Sequence, residues 1–304
     1  MGLWKEYALD PDLFDDFYRA DAFLSGLGFE HGRLLGPVPS DWLRRIRDAA
    51  NERFSPIQQQ KIIGHLEKLR RAVRARNLAF NDALPWVDQA LDCHRLKAFD
   101  AILLNGAHED PVVVDASNGA GGLSCWQNAR RYEVERTAEA LGRALRPLLE
   151  RAYEVIVVDP YFNPSMAPGT SKWLRPLRAL SECLAGNRQL RRFEVNTLSP
   201  AHDAWPLELF FRHCAANIPP TLPNELRVNL RLWERRPGGL QFHERLIATD
   251  LGGVLLDPGL DDGNEGETYT LRLLGRDESL EYLDKFEVRS SPYNLLGEQE
   301  YQNA

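Results

Sequence analysis

Apolar residues recur at three- and four-residue intervals through the first ~95 positions, the spacing of one buried helix face. Leu13, Phe17, Ala20, Leu24 and Leu27 follow Asp10-Pro11, and proline in a first turn suits a helix start. A break at Gly36-Pro37 and Pro39 follows, and Ser40-Asp41 predicts the N-cap of a second helix carrying Trp42, Ile46 and Ala49. Ser55-Pro56 opens a third, to about Asn77, with Ile62, Leu66, Leu69 and Val73 on one face. Leu84–Leu91 forms a fourth. The expectation is a helical module over residues 1–95.

At Phe99 the period changes. Phe99–Leu104 and Val112–Val114 are apolar runs separated by a turn-rich stretch from Asn105-Gly106 to Asp110-Pro111, which predicts a β-hairpin. A Gly-rich loop, Ser117–Ser124, precedes a long helix over 130–151 with Val134, Ala138, Leu141, Leu145 and Leu148 at helical intervals. The strand Val155–Val158 then runs into Asp159-Pro160-Tyr161-Phe162. A helix near Ser171–Leu184 and a strand near Phe193–Leu198 follow. The last third predicts strands at Leu226–Trp233, Leu240–Ala248, Val254–Leu256 and Tyr269–Leu274, closed by a helix at Asp277–Phe286. Strands alternating with helices predict an α/β sandwich with a mixed sheet over residues 96–304.

Composition narrows the function classes. The chain has 304 residues, 43% hydrophobic and 27% charged, with a net charge of −7, the profile of a folded globular protein that is not globally basic. A local basic patch remains compatible with nucleic-acid binding. No apolar run approaches the ~18 residues of a membrane span. The N-terminus turns acidic within ten residues and lacks the layout of a signal peptide, so a cytoplasmic location is expected. Cys93, Cys125, Cys183 and Cys214 are isolated in sequence and form no zinc module; they are expected to be reduced and mostly buried. No cofactor or metal is called for.

The segment with the clearest chemical pattern is Phe242-His243-Glu244-Arg245-Leu246-Ile247-Ala248-Thr249-Asp250, which contains His-x-Arg-x4-Asp. On a strand, residues two apart share a face, ~6–7 Å apart at ~3.3 Å per residue. An imidazole and a guanidinium so placed suit one phosphate group. His243 would act as nucleophile or acid/base, Arg245 would hold phosphate oxygens, and Asp250, before Gly252-Gly253, would orient a neighbour. His31-Gly32-Arg33 repeats the first half of the pattern in a loop and lacks the aspartate. The plainer alternative is a surface strand with His243 and Arg245 facing solvent.

His-x-Lys-x4-Asp is the signature of the phospholipase D superfamily, and this segment resembles it with Arg245 in the lysine position. Asp159-Pro160-Tyr161-Phe162 resembles the end of the first core strand of such domains, which places Tyr161 among the substrate-binding candidates. The run Gly252-Gly253-Val254-Leu255-Leu256-Asp257-Pro258-Gly259-Leu260-Asp261 is similar to a divergent His-x-Arg branch that includes the phospholipase D-like C-terminal domain of MIT-domain proteins and bacterial relatives linked to phage defence or mobile elements. The resemblance spans residues 96–290, with its specific motifs in about 20 of them. It implies metal-independent phosphodiester chemistry on nucleic acid. Family catalysis uses two His-x-Lys motifs, one histidine forming phosphohistidine and the other protonating the leaving oxygen. His65, His94, His108, His202 and His213 have no basic residue two positions on, so an active enzyme would need a homodimer in which each chain supplies His243 and Arg245. Arginine is also planar, bidentate and never gives up its proton, which suits phosphate binding better than phosphoryl transfer. The alternative is a catalytically silent phospholipase D-like module that docks partner proteins.

Three weaker patterns have plain readings. Residues 117–124 match neither GxGxxG nor the Walker pattern and are expected to form a turn rather than a nucleotide site. Arg70, Arg71, Arg74 and Arg76, with Lys61 and Lys68, lie opposite the apolar stripe of their helix and predict a solvated face rather than a phosphate contact. Asp257, Asp261, Asp262, Glu265 and Glu267 predict an exposed acidic loop pairing with Arg272 or Arg276.

Overall fold

Residues 2–39, 41–72, 80–81, 83–129, 131–164, 171–198 and 206–303 are described by a computed structural model, in which the side chains of 70–72 are not placed. Ser40, Val73, Asn77, Arg74, Arg76 and His202 lie outside the described residues, as do the side chains of Arg70 and Arg71. The chain divides into two compact units, 1–129 and 130–304. Both combine helices with a sheet, so the protein is α/β throughout.

The first unit is not purely helical. It contains β1 (Lys5–Leu9), α1 (Phe17–Gly26), β2 (Arg33–Leu35), α2 (Trp42–Arg53), α3 (Pro56–Ala72), α4 (Trp86–Leu96), β3 (Ala101–Leu104) and β4 (Val113–Asp115). The strands form a parallel sheet in the order β2-β1-β3-β4. The expected hairpin at 99–114 is therefore a pair of parallel strands. Because β3 hydrogen-bonds to β1, residues 96–129 belong to the first unit and the expected boundary at 95 moves to 129. The four helices stand near their predicted positions. α1 starts later than predicted, because Asp16 caps it by accepting from the Arg19 N–H at 2.9 Å, after a short 3-10 turn over Pro11–Asp15. Trp42 and Ile46 of α2 and Ile62 of α3 are fully buried in one cluster with Leu13 and Phe14.

The second unit contains β5 (Arg131–Glu135), α5 (Ala138–Leu149), β6 (Glu154–Val158), α6 (Leu174–Leu184), β7 (Arg192–Leu198), α7 (Leu207–Asn217), β8 (Arg227–Glu234), β9 (Leu246–Thr249), β10 (Gly252–Asp257), β11 (Thr268–Leu274), α8 (Arg276–Lys285) and β12 (Asn294–Gln302). Its eight-stranded sheet runs β12-β8-β7-β6-β9-β10-β11-β5. β6, β7 and β8 are parallel; β9 returns antiparallel beside β6 and continues through a tight Asp250-Leu251 turn into β10, whose first two residues are Gly252 and Gly253, expected from sequence to form the turn. The predicted helix over 130–151 is two elements. Arg131–Glu135 alternates exposed and half-buried side chains as a sheet-edge strand, and Thr137 then caps α5 through the Ala140 N–H at 3.2 Å. Residues 240–245 are not strand either, so β9 is shorter than predicted.

Val155, Ile156, Val157 and Val158 are all fully buried, so β6 is covered on both faces, as expected of a continuous apolar run at a sheet centre. On one face, Ile156, Val158, Leu246 and Ala248 pack with Trp233, Phe242, Leu283 of α8, Phe286 and Tyr293. The alternate residues project to the other face. Among the described residues, no helix is long and apolar enough to cross a membrane.

Candidate functional site

The register of the central strands sets the site. Val158 pairs with Leu246, so the chain beyond β6 reaches Asp159 just where Arg245 leads into β9. The Arg245 carbonyl accepts the Leu256 N–H at 2.8 Å, which brings the end of β10 and the following Pro258-Gly259 alongside. Arg245 has the opposite parity to Glu244, which reaches Lys285 at 3.4 Å, and to Phe242, which stacks on Tyr293 at 4.9 Å. Arg245, immediately before β9, projects instead toward Asp159, Tyr161 and Gly259.

There it enters a pocket of about 260 Å³ lined by Arg136, Asp159, Tyr161, Trp173, Arg245, Pro258, Gly259 and Asp261. The Arg245 guanidinium lies over the Tyr161 ring, 4.9 Å from its centroid. Among the described residues it makes no hydrogen bond or ion pair. Arg136, by contrast, is fully engaged: Nη2 donates to Asp261 Oδ2 at 2.6 Å, Nη1 to Glu267 Oε2 at 2.9 Å and Nε to the Asp261 carbonyl at 3.1 Å. The pocket thus holds one cation neutralised by acids and one that is not.

Asp159 is 2% exposed. Its Oδ1 accepts the Tyr161 N–H at 2.9 Å and its Oδ2 the Leu260 N–H at 2.7 Å. Burial raises its pKa above the ordinary 3.8, and the two N–H groups and the nearby Arg245 charge oppose that rise. Gly259 closes the pocket at close range. A methyl group there would stand 3.0 Å from Asp159 Oδ2 and 3.1 Å from Arg245 Cδ.

Of the residues singled out from sequence, the structure brings Arg245 and Tyr161 together. His243 is exposed and does not line the pocket; among the described residues its imidazole has no hydrogen-bond or ion-pair partner. Asp250 is at the other end of β9, where its Oδ1 accepts the N–H groups of Tyr153 at 2.6 Å and Glu154 at 3.2 Å. Five residues of extended chain put it about 16 Å from Arg245. It fixes the start of β6 and orients nothing in the pocket. The acidic stretch is also corrected: Asp261, Asp262 and Glu267 are half-buried and pair with Arg136 and Arg175 rather than with Arg272 or Arg276. The Gly-rich segment leads through short 3-10 turns to β5 and does not precede a helix. Among the described residues, no group of three or more His, Cys, Asp or Glu side chains is placed to hold a metal ion.

Sequence reasoning missed Arg136, Asp159, Trp173 and Asp261 as pocket residues. Asp159 carried a signal, since a carboxylate ending a four-valine-like apolar run sits at the end of a buried strand. Arg136 and Asp261, 125 positions apart, carried none.

No family model matches the chain, and no curated protein matches it. Among solved structures, the chain is similar to TrmBL2, described as an archaeal chromatin protein with a novel mode of DNA binding. The TM-score is 0.28 and the identity 10%, over 52% of this chain and 51% of that one, so the chain spans about half the length of that structure. The fold and pocket define a mixed α/β protein in which, among the described residues, a guanidinium without a hydrogen bond or ion pair stands where β6 ends and β9 begins.

Proposed function

We propose that this is a phospholipase D-like protein whose second unit recognises the phosphate of a phosphodiester, with Arg245 as the clamp. The observation that carries the reading is the state of that side chain. A half-buried guanidinium with no carboxylate on it, turned into a small pocket, retains the capacity to donate to two oxygens of one anion. Asp159 beside it is kept closer to neutral than a solvated carboxylate, which lowers the repulsion an incoming anion meets. His243, outside the pocket and exposed, favours recognition over single-chain catalysis. Phosphoryl transfer on this reading would need a second chain to supply a group beside His243, and a protein-docking role without chemistry is the alternative that the same exposure favours.

The test is calorimetric titration of the full chain with dimethyl phosphate, together with an assay for hydrolysis of an activated phosphodiester. Arg245→Ala should reduce affinity at least tenfold, as expected for a charge-assisted bidentate contact worth about 1.5–3 kcal/mol. His243→Ala should leave binding unchanged and should abolish any hydrolysis. Unaltered affinity in Arg245→Ala discards the assignment.

A further inference from the structure

Two aromatic side chains share the pocket with the free guanidinium. Tyr161 is covered on one side by Arg245, yet 57% of it remains exposed. That leaves open ring surface at the mouth. Trp173 lines the same pocket, and its Nε1–H is buried with no acceptor among the described residues. Buried indole N–H groups are nearly always paired, so an orphaned one beside a cavity marks a place for a ligand acceptor. The volume, about 260 Å³, falls just below the range of roughly 300–1,000 Å³ usual for drug-sized ligands. It suits a phosphate with one adjoining ring, and a base lying on Tyr161 could not at the same time be stacked within a duplex. The chain as a whole carries a net charge of −7, which disfavours a rigid polyanion whose binding depends on many phosphate contacts.

Building on the phosphate reading, we infer that Tyr161 is the specificity-determining residue of the pocket, and that its exposed ring stacks a nucleobase whose phosphate is held by Arg245. The ligand is one nucleotide unit, free or within a single strand. An aromatic platform accepts any base, because every base offers a π face. Such a site would be tolerant of sequence and intolerant of duplex structure.

The experiment compares AMP, ribose 5-phosphate and inorganic phosphate by titration with the full chain, then an eight-nucleotide single strand with its duplex. AMP should bind at least about fivefold more tightly than ribose 5-phosphate, the lower end of base-stacking effects. Tyr161→Ala should erase that difference while phosphate still binds; Tyr161→Phe, which keeps the ring, should retain it. Tighter binding of the single strand than of AMP places the nucleotide within a chain, and equal binding assigns a free nucleotide. Equal affinity for AMP and ribose 5-phosphate overturns the stacking role and leaves the phosphate site standing. No binding of any of the phosphates overturns the pocket reading itself. A duplex preferred over the single strand also overturns the inference.

Discussion

Asp159 and Arg245 face each other across the junction of β6 and β9, one step beyond the Val158–Leu246 pair, with Gly259 wedged against both. A buried acid, a base with no ion pair among the described residues and a residue without a side chain therefore meet where parallel strands give way to an antiparallel one.

Gly259→Ala tests how tightly that junction is built. The added methyl would meet Asp159 Oδ2 and Arg245 Cδ at about van der Waals repulsion, and Asp159 is held in place by two backbone N–H groups. Stability should fall by about 1–3 kcal/mol, the usual cost of overpacking, with a several-fold loss of dimethyl phosphate affinity as Arg245 is displaced. Urea denaturation and titration of the same preparation measure both. A variant with unchanged affinity would show that Arg245 does not depend on the junction.

The raised pKa of Asp159 sets a pH dependence. A carboxyl whose pKa is higher in the folded than in the unfolded chain binds its proton more tightly when folded. Its contribution to stability is full below the unfolded value, near 3.8, and is lost as pH rises through the folded value. From pH 3.8 upward, wild-type stability should therefore decline relative to Asp159→Asn, which has no titration at this position. Affinity for dimethyl phosphate, whose single charge is constant over this range, should decline over the same interval as Asp159 ionises beside Arg245. Affinity that stays flat while the stability difference develops would separate Asp159 from the bound anion.

Asp250→Ala should leave phosphate binding intact and weaken the fold. The carboxylate is the acceptor for two N–H groups at the start of β6, and its removal should cost about 1–3 kcal/mol. Asp250→Asn, which keeps one acceptor oxygen, should cost less. A binding defect in Asp250→Asn at full stability would return this residue to the site.

On the other face of the sheet, Glu194 Oε2 accepts from Arg192 Nη2 at 2.8 Å and from Arg231 Nη1 at 2.9 Å, and both guanidiniums are largely buried. Arg231 also reaches Glu298 on β12 at 3.0 Å. Glu194→Ala removes the acceptor that the two cations share while Arg192 keeps Glu154 and Glu287 and Arg231 keeps Glu298, and should cost about 1.5–3 kcal/mol by chemical denaturation. A loss below 1 kcal/mol would mean that solvent reaches the pair.

The central strands of the second unit were legible because continuous apolar runs such as Val155–Val158 have one stable location, between two covered faces. The reversal between β9 and β10 was legible only in place: the turn residues are Asp250-Leu251, and the glycines expected to turn belong to β10, where a methyl on Gly253 would stand 2.6 Å from the Ile247 carbonyl. β1 was not legible, since Lys5-Glu6-Tyr7-Ala8-Leu9 has no strand alternation and is recruited by pairing with β2 and β3 on both sides. The direction of β4 against β3 was not legible either, because apolar runs specify burial and not polarity. In the site, His-x-Arg pointed to Arg245, and Tyr161 entered only through the resemblance of Asp159-Pro160-Tyr161-Phe162 to a phospholipase D core strand. The spacing could not show that only one of the two motif side chains enters the pocket, nor that Arg136 arrives from 125 positions away to silence Asp261.

An arginine moored to an aromatic face has no ionic tether to sever before it turns. Had Arg245 been locked to a carboxylate, as Arg136 is, an arriving oxyanion would first have to win a competition against a fixed rival. On the proposed reading, the soft hold of Tyr161 keeps the guanidinium aligned yet releasable, so an anion would be taken up without first breaking an ion pair.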